Sequence, residues 1–165
     1  MAEANLTAAQ LREILRYDPI TGTFYRLKNT GATGRIGPIN VRPSVRGAYA
    51  ICVHANKHYA HRLAWLYMTG EWPAHEIDHI DGNPLNNRFA NLREATGAQN
   101  KQNQRRPKTT NKSGFLGAFK HDARRWRANI QINGKTIHIG LFDSAEEAHA
   151  AYVEAKRRLH PFGVL

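Results

Sequence analysis

Four polar residues stand within one short stretch: Asp78, His79, Asn91 and Asn100. Asp78 offers a carboxylate oxygen and Asn100 a carboxamide oxygen. Both are hard donors, and Mg²⁺ usually takes one or two such protein groups, with water and phosphate completing its shell. His79 titrates near neutrality and suits a general base. Asn91 has a carboxamide able to fix the imidazole. A cation that stabilises a leaving oxygen, beside a base that activates water, is what phosphodiester hydrolysis requires. Neighbouring residues on a strand face opposite ways, so Asp78 and His79 can flank one centre only where the strand ends or bends. Asp81-Gly-Asn-Pro84 is a strong turn and supplies that end. Asp81 itself reads as a turn-forming side chain, and Asn86 and Asn87 as loop hydrogen bonders. His61 reads as a cap or DNA contact at a helix start. Arg88 and Arg93 fit either solvated charges or phosphate contacts.

The elements around these residues follow from the pattern. Ile77–Ile80 reads as a strand and Phe89–Glu94 as a second. Thr96-Gly-Ala-Gln99 is a capping box that opens a helix through Gln102 or beyond. Upstream, Thr7-Ala-Ala-Gln10 caps a helix carrying Leu11, Ile14 and Leu15, which Tyr17-Asp-Pro-Ile-Thr-Gly22 ends in a turn. Thr23–Leu27 is a short strand, and residues 29–47 read as loop or weak strand. Ala48–Val53 and Lys57–Ala60 read as two strands, and His61–Thr69 as a helix stopped by Gly70 and Pro73. Leu63, Trp65, Leu66 and Met68 are assigned to the core.

Asp78-His79-Ile-Asp-Gly-Asn83, then Asn86-Asn87, Asn91-Leu-Arg93 and Gln99-Asn100 together resemble the HNH (ββα-metal) motif of phage and mobile-element homing endonucleases. Tyr59-Ala-His-Arg-Leu-Ala-Trp65, Gly70-Glu-Trp-Pro73 and Leu15–Phe24 resemble the flanks of that family. The resemblance implies His79 as general base, Asp78 and Asn100 as metal ligands, and Asn91 as the residue that orients the His79 loop. The third motif position is Asn here, where many members carry His. That excludes two His ligands on the metal. The implied cofactor is Mg²⁺, with Mn²⁺ as the alternative.

After Lys101–Lys112, a basic stretch with linker composition, the pattern changes. Phe115–Lys120, Arg125–Ile132 and Lys135–Leu141 read as strands, with Asn133-Gly134 as a two-residue hairpin turn. Arg125, Arg127, Asn129 and Gln131 share one face, joined by Thr136 and His138. Trp126, Ala128, Ile130 and Ile132 share the other, joined by Ile137 and Ile139. Asp143 or Ser144 caps a final helix with the apolar stripe Ala145, Ala148, Tyr152, Ala155 and Leu159. The polar face carries side chains that read base edges and phosphates. Ser113-Gly-Phe-Leu-Gly-Ala-Phe119, Arg125-Trp-Arg-Ala-Asn-Ile130, Ile139-Gly-Leu-Phe-Asp143 and Ala145–Tyr152 resemble the AP2 DNA-binding domain, whose sheet enters the major groove. The resemblance places base or phosphate contacts on Lys120, Arg125, Arg127, Asn129, Gln131 and His138. Leu116 and Phe119 stand where plant AP2 proteins carry Arg, so no target sequence transfers. Arg93, Arg105 and Arg106 join the expected DNA contacts.

Composition is consistent with this. There are 24 Lys and Arg against 13 Asp and Glu, a formal charge of +11 and a pI near 10.2. Such a chain favours an anionic partner. Cys52 is the one cysteine. It allows no disulfide within the monomer and no cysteine-based zinc site, so no structural zinc is expected. It fits a reducing compartment and, from its place in Ala48–Val53, a small buried position. The first residues lack a secretory pattern, and no apolar stretch reaches membrane-spanning length. The expectation is a soluble, cytoplasmic protein with no membrane partner.

The fold class expected is α+β: a ββα-metal HNH nuclease fold plus an AP2-like three-stranded antiparallel sheet packed on one helix. Residues 1–103 form the nuclease region with its core at 48–103, 104–112 a basic linker, and 113–165 the DNA-binding domain. The expected activity is metal-dependent nicking of double-stranded DNA by a monomer or DNA-assembled dimer. The alternative is a non-catalytic AP2-like regulator that keeps the ββα unit as scaffold. An RNA-binding module ranks lower, because the sequence shows no exposed aromatic stacking pattern.

Overall fold

The computed structural model describes residues 6–29, 34–39 and 49–164. The chain divides into two compact units, Met1–Ala95 and Thr96–Leu165.

In the first unit, α1 (Ala8–Ile14) starts at a complete capping box: the Gln10 N–H donates to Thr7 Oγ1 and the Thr7 N–H to Gln10 Oε1. The helix gives way directly to β1 (Leu15–Asp18), one residue set earlier than the expected turn. Leu15 and Tyr17 are buried on alternate positions, so a strand hides both where a turn would expose one. β1 pairs antiparallel with β2 (Thr23–Arg26), and β2 with the short β3 (Gly37–Pro38). β4 (Ala50–Val53) and β5 (Asn56–Tyr59) form a hairpin whose turn residues His54 and Ala55 both have positive φ. The expected start of that first strand, Ala48, lies outside the described residues.

Cys52 is exposed, contrary to the expectation of burial. Alternation along β4 turns Ile51 and Val53 inward and leaves Cys52 facing out. α2 (Ala60–Thr69) buries Leu63, Ala64 and Leu66 and ends at Gly70 in the left-handed region. Met68 is 41% exposed and does not join the core. β6 (Glu76–His79) pairs antiparallel with β7 (Leu92–Ala95). The second strand is shorter than expected because Phe89–Asn91 form a 3-10 turn ahead of it. Leu11, Leu15, Leu63, Leu66, Ile77 and Leu92 belong to one core cluster, so both site strands are anchored in it.

The second unit opens with α3 (Gly97–Gln102), capped reciprocally by Thr96 and Gln99 as the sequence predicts. β8 (Ala118–Lys120), β9 (Trp126–Ile132) and β10 (Lys135–Phe142) form an antiparallel sheet in the order β10-β9-β8. β8 does not begin at Phe115. The Phe115 carbonyl accepts instead from the Asn111 and Ser113 side chains, which hold that segment as a turn. Asn133 and Gly134 take positive φ in the hairpin. α4 (Ala145–Leu159), capped by Ser144, packs on the sheet through Ala148, Tyr152 and Ala155. Ile137 is 43% exposed, although its partner Ile130 is buried.

Lys156 lies on the buried side of α4, and its ammonium donates to the Gln104 carbonyl at 2.7 Å. The Phe162 N–H donates to Gln102 Oε1 and the Val164 N–H to Asn103 Oδ1. These bonds tie the end of α3 to the C-terminal tail. α3 therefore groups with the C-terminal sheet and helix rather than with β6 and β7. Among the described residues no helix is long and apolar enough to cross a membrane.

Candidate active site

β6 ends at His79, where the chain turns: the Gly82 N–H donates to the His79 carbonyl at 2.8 Å, and the Ile80 N–H to the Asn91 carbonyl at 2.9 Å. Asp78 and His79 are buried at 6% and 8% exposure. Asp78 stands directly opposite Arg93 across the β6–β7 pair. Its Oδ2 accepts from Arg93 Nε at 3.0 Å and from Nη2 at 2.9 Å. Arg93, expected as a DNA contact or a solvated charge, thus lies on the candidate metal ligand.

The His79 ring meets Asn87 and His61. Its Nε2 lies 3.2 Å from Asn87 Oδ1. The Asn87 Nδ2 donates to the Leu85 carbonyl, which fixes the amide with its oxygen toward the ring. An amide oxygen only accepts, so in this orientation Nε2 is the donor of that bond. The ring edge also meets His61 at 5.1 Å and 86°, and His61 in turn stacks on Tyr59. From its place at a helix start His61 reads first as a cap or DNA contact, with a catalytic role as the lesser reading. The structure brings it against the candidate base, a contact between α2 and β6 that spacing along the chain does not show.

The Asn91 side chain bonds to the 81–86 loop rather than to the imidazole. Its Oδ1 accepts from the Asp81 N–H, and its Nδ2 donates to Asp81 Oδ1 and to the Asn86 carbonyl. Asp81 forms the expected turn, accepting from the Asn83 N–H at 2.8 Å and from Asn86 Nδ2 at 2.7 Å. Partial burial would raise the Asp81 pKa, but the bonds from Asn86, Asn83 and Asn91 and the nearby His79 outweigh it. The net pKa lies below the ordinary carboxylate value.

A brace from the N-terminal hairpin holds the same loop. Tyr17 Oη donates to the Asn87 carbonyl at 2.6 Å, and the Phe89 N–H donates to the Pro19 carbonyl. Burial, and then the charge of Asp18, push the Tyr17 phenol well above its usual range. Gly22 takes φ +75°, and a Cβ there would lie 2.6 Å from backbone atoms of Asn87 and Arg88. The link from Tyr17 through Asn87 to His79 was not read from the sequence.

The remaining expected residues lie in the second unit. Asn100 sits half-buried on α3, its N–H bonded to the Thr96 carbonyl. Arg105, Arg106 and Arg127 are exposed. Asn129 and His138 are cross-strand partners, with Oδ1 and Nδ1 3.1 Å apart. Gln131 Nε2 donates to the Gly134 carbonyl. Arg125, just ahead of β9, pairs with Asp122 at 3.1 Å. Lys120 pairs with Trp126 in the register and lies 4.5 Å from that ring, so alternation sets it on the opposite face from Arg127.

Among the described residues, no three His, Cys, Asp or Glu side chains gather as a metal-binding group. A carboxylate with carboxamides is a donor set that suits a hard cation. The model of the HNH endonuclease family matches residues 58–102, which hold α2, the β6–β7 pair and α3. Protein 3.8 of Escherichia phage T7 is 35% identical over 102 residues, covering 61% of this chain and 83% of the phage protein. Residues 58–102 are an HNH endonuclease domain. A protein of Acanthamoeba polyphaga mimivirus, named an uncharacterized HNH endonuclease, is 32% identical over 109 residues, covering 65% of this chain and 56% of that protein. No solved structure matches. An HNH domain points to a nuclease with DNA as substrate, and HNH nucleases generally use a divalent metal.

Proposed function

We propose that this HNH protein is a metal-dependent endonuclease that nicks double-stranded DNA at a site selected by its C-terminal unit. The observation that supports it most is the placing of a buried carboxylate, Asp78, next to a buried imidazole held by Asn87, His79, at the end of β6 within the family segment. In this reading Asp78 and Asn100 hold Mg²⁺, or Mn²⁺ as the alternative. The cation supplies charge stabilisation to the scissile phosphate and its leaving oxygen. His79 takes a proton from the attacking water at Nδ1. Asn87 holds the ring by Nε2, and Asn91 keeps the 81–86 loop in place behind it. Arg93 orients the Asp78 carboxylate.

The C-terminal sheet backed by α4 supports an AP2-like reader, with Arg127, Asn129, Gln131 and His138 toward DNA and Arg105, Arg106, Lys120 and Arg125 as further cations. One such centre per chain cuts one strand, whether the protein acts as a monomer or as a DNA-assembled dimer. A basic protein of this kind acts in the cytoplasm of a bacterial host. The rival reading, a non-catalytic DNA-binding regulator, leaves the buried Asp78–His79 pair without a task.

Supercoiled plasmid with Mg²⁺ tests the choice. The wild-type chain is expected to convert it to open circle, and His79→Ala to reduce the rate at least about a hundredfold with duplex affinity unchanged. Nicking at the wild-type rate by His79→Ala would remove the base assignment. No nicking by the wild type with either Mg²⁺ or Mn²⁺ would favour the regulator.

A further inference from the structure

The second unit contains a cleft of about 1070 Å³ between the 101–113 segment and the sheet. Five cations line it: Lys101, Lys108, Lys112, Lys120 and Arg127. Among the described lining residues there is no Asp or Glu. The field inside is therefore positive, with no acid in its walls to neutralise it. β8 pairs only with Trp126–Ala128, so β9 runs on past its neighbour. Asn129 and Gln131 line the cleft along that extension.

Phe119 also lines it and is 39% exposed. It stands opposite Arg127 in the register, and the guanidinium carbon lies 5.9 Å from its ring centre. At this position the chain departs from the Arg that the AP2 resemblance implies. In a groove an aromatic ring can touch a thymine methyl, but it cannot stack, because paired bases present only their edges there. Unpaired bases present faces. Cations that track phosphates, an aromatic face for stacking and amides for base edges form the recognition set for a single strand.

Size points the same way. About 1070 Å³ is the scale of a pocket that encloses a drug-sized ligand. A few nucleotides of one strand match that space. We propose that this cleft takes a single polynucleotide strand, with its phosphates along Lys101, Lys108, Lys112 and Arg127 and a base stacked on Phe119. The proposal deepens the reading of the C-terminal unit as a DNA-binding unit and rests on it.

Fluorescence anisotropy with the full chain in EDTA, so that nothing is cut, tests it. The probes are a labelled oligothymidylate of about 12 nucleotides and a duplex of equal length. Phe119→Ala is expected to weaken oligothymidylate binding about tenfold and to leave duplex binding within about twofold. The double variant Lys108→Glu, Lys112→Glu is expected to weaken oligothymidylate binding further and to flatten its dependence on salt. Unchanged oligothymidylate affinity in Phe119→Ala overturns the proposal, and so does equal displacement by polyglutamate, which would reduce the cleft to a charge sink. Duplex binding without any oligothymidylate binding overturns the cleft alone. Loss of both in the wild-type chain overturns the DNA-binding reading beneath it.

Discussion

Arg93 illustrates how one side chain can serve two readings that differ in their thermodynamics. A phosphate contact sits in water in the free protein, and removing it changes affinity but not stability. A partner of a buried carboxylate behaves otherwise. Asp78 is 6% exposed and takes both Arg93 bonds on one oxygen. Removing the guanidinium leaves a desolvated charge short of its strongest partner. Arg93 keeps part of its surface in solvent, so the cost falls at the low end for a buried pair. Arg93→Ala is expected to destabilise the free protein by roughly 1–3 kcal/mol. Thermal unfolding in the absence of DNA and metal measures this. An unchanged melting temperature, with the salt slope of DNA binding reduced by about one, would return Arg93 to the role of phosphate contact. His61 and Asn87 belong to the same scale: both touch the His79 ring, and under the proposed function each would act through it.

At the scale of elements, the catalytic loop depends on a hairpin more than sixty residues away in the chain. The β1–β2 turn presses Gly22 against Asn87 and Arg88, and Tyr17 holds the Asn87 carbonyl. Gly22→Ala meets both a left-handed backbone and a backbone clash, so a loss of roughly 2–3 kcal/mol is expected. Nicking should fall with it even though no catalytic group is altered. A variant that keeps full stability and activity would show the close approach to be inconsequential.

Asp81 gives this loop a pH dependence with a definite sign. Its folded-state pKa is depressed, so on acidification the unfolded chain takes up the proton first. Its contribution is intact above the ordinary Asp value of about 4 and drains away as pH falls below it. Asp81→Asn should therefore cost roughly 0.5–1 kcal/mol at pH 7, limited by solvent screening, and the gap to wild type should be smaller at a pH below about 4. A gap that is the same at both pH values would show that the hydrogen bonds to Asp81 do not depend on its charge. What the sequence made legible here was local. The Thr7 and Thr96 caps, the Asn133-Gly134 hairpin and the alternation of β9 each depend on residues within a few positions. The Tyr17 brace, the His61 contact and the burial of Lys156 depend on which distant segment packs where, and spacing along a chain carries no such signal. Cys52 and Met68 failed for a related reason: an apolar-looking residue inside a short element faces inward only if the register places it there.

At the scale of the molecule, the question is whether the C-terminal residues can be removed without touching the chemistry. A division after residue 112 would suggest so, since Asp78, His79, Asn91 and Asn100 all remain. The second unit argues against it. α3 spans only Gly97–Gln102, and a helix of that length is marginal in water without tertiary support. Its far end is fastened by Phe162 on Gln102, by Val164 on Asn103 and by Lys156 on the Gln104 carbonyl, all of which the truncation deletes. The Thr96–Gln99 cap survives but secures only the first turn. A chain ending at Lys112 is therefore expected to fray at α3 and, if Asn100 is a metal ligand, to lose most of its nicking as well as its site preference. The double variant Arg127→Ala, Gln131→Ala keeps those fastenings and alters only exposed side chains of the sheet. It should nick non-specific supercoiled DNA within about threefold of wild type while losing preference among sites, because each base contact contributes about 1–3 kcal/mol of discrimination. Comparing the two on plasmid nicking separates fold support from DNA reading. Full-rate nicking by the truncated chain would show that α3 stands without the C-terminal tail and that the nuclease centre is independent of it.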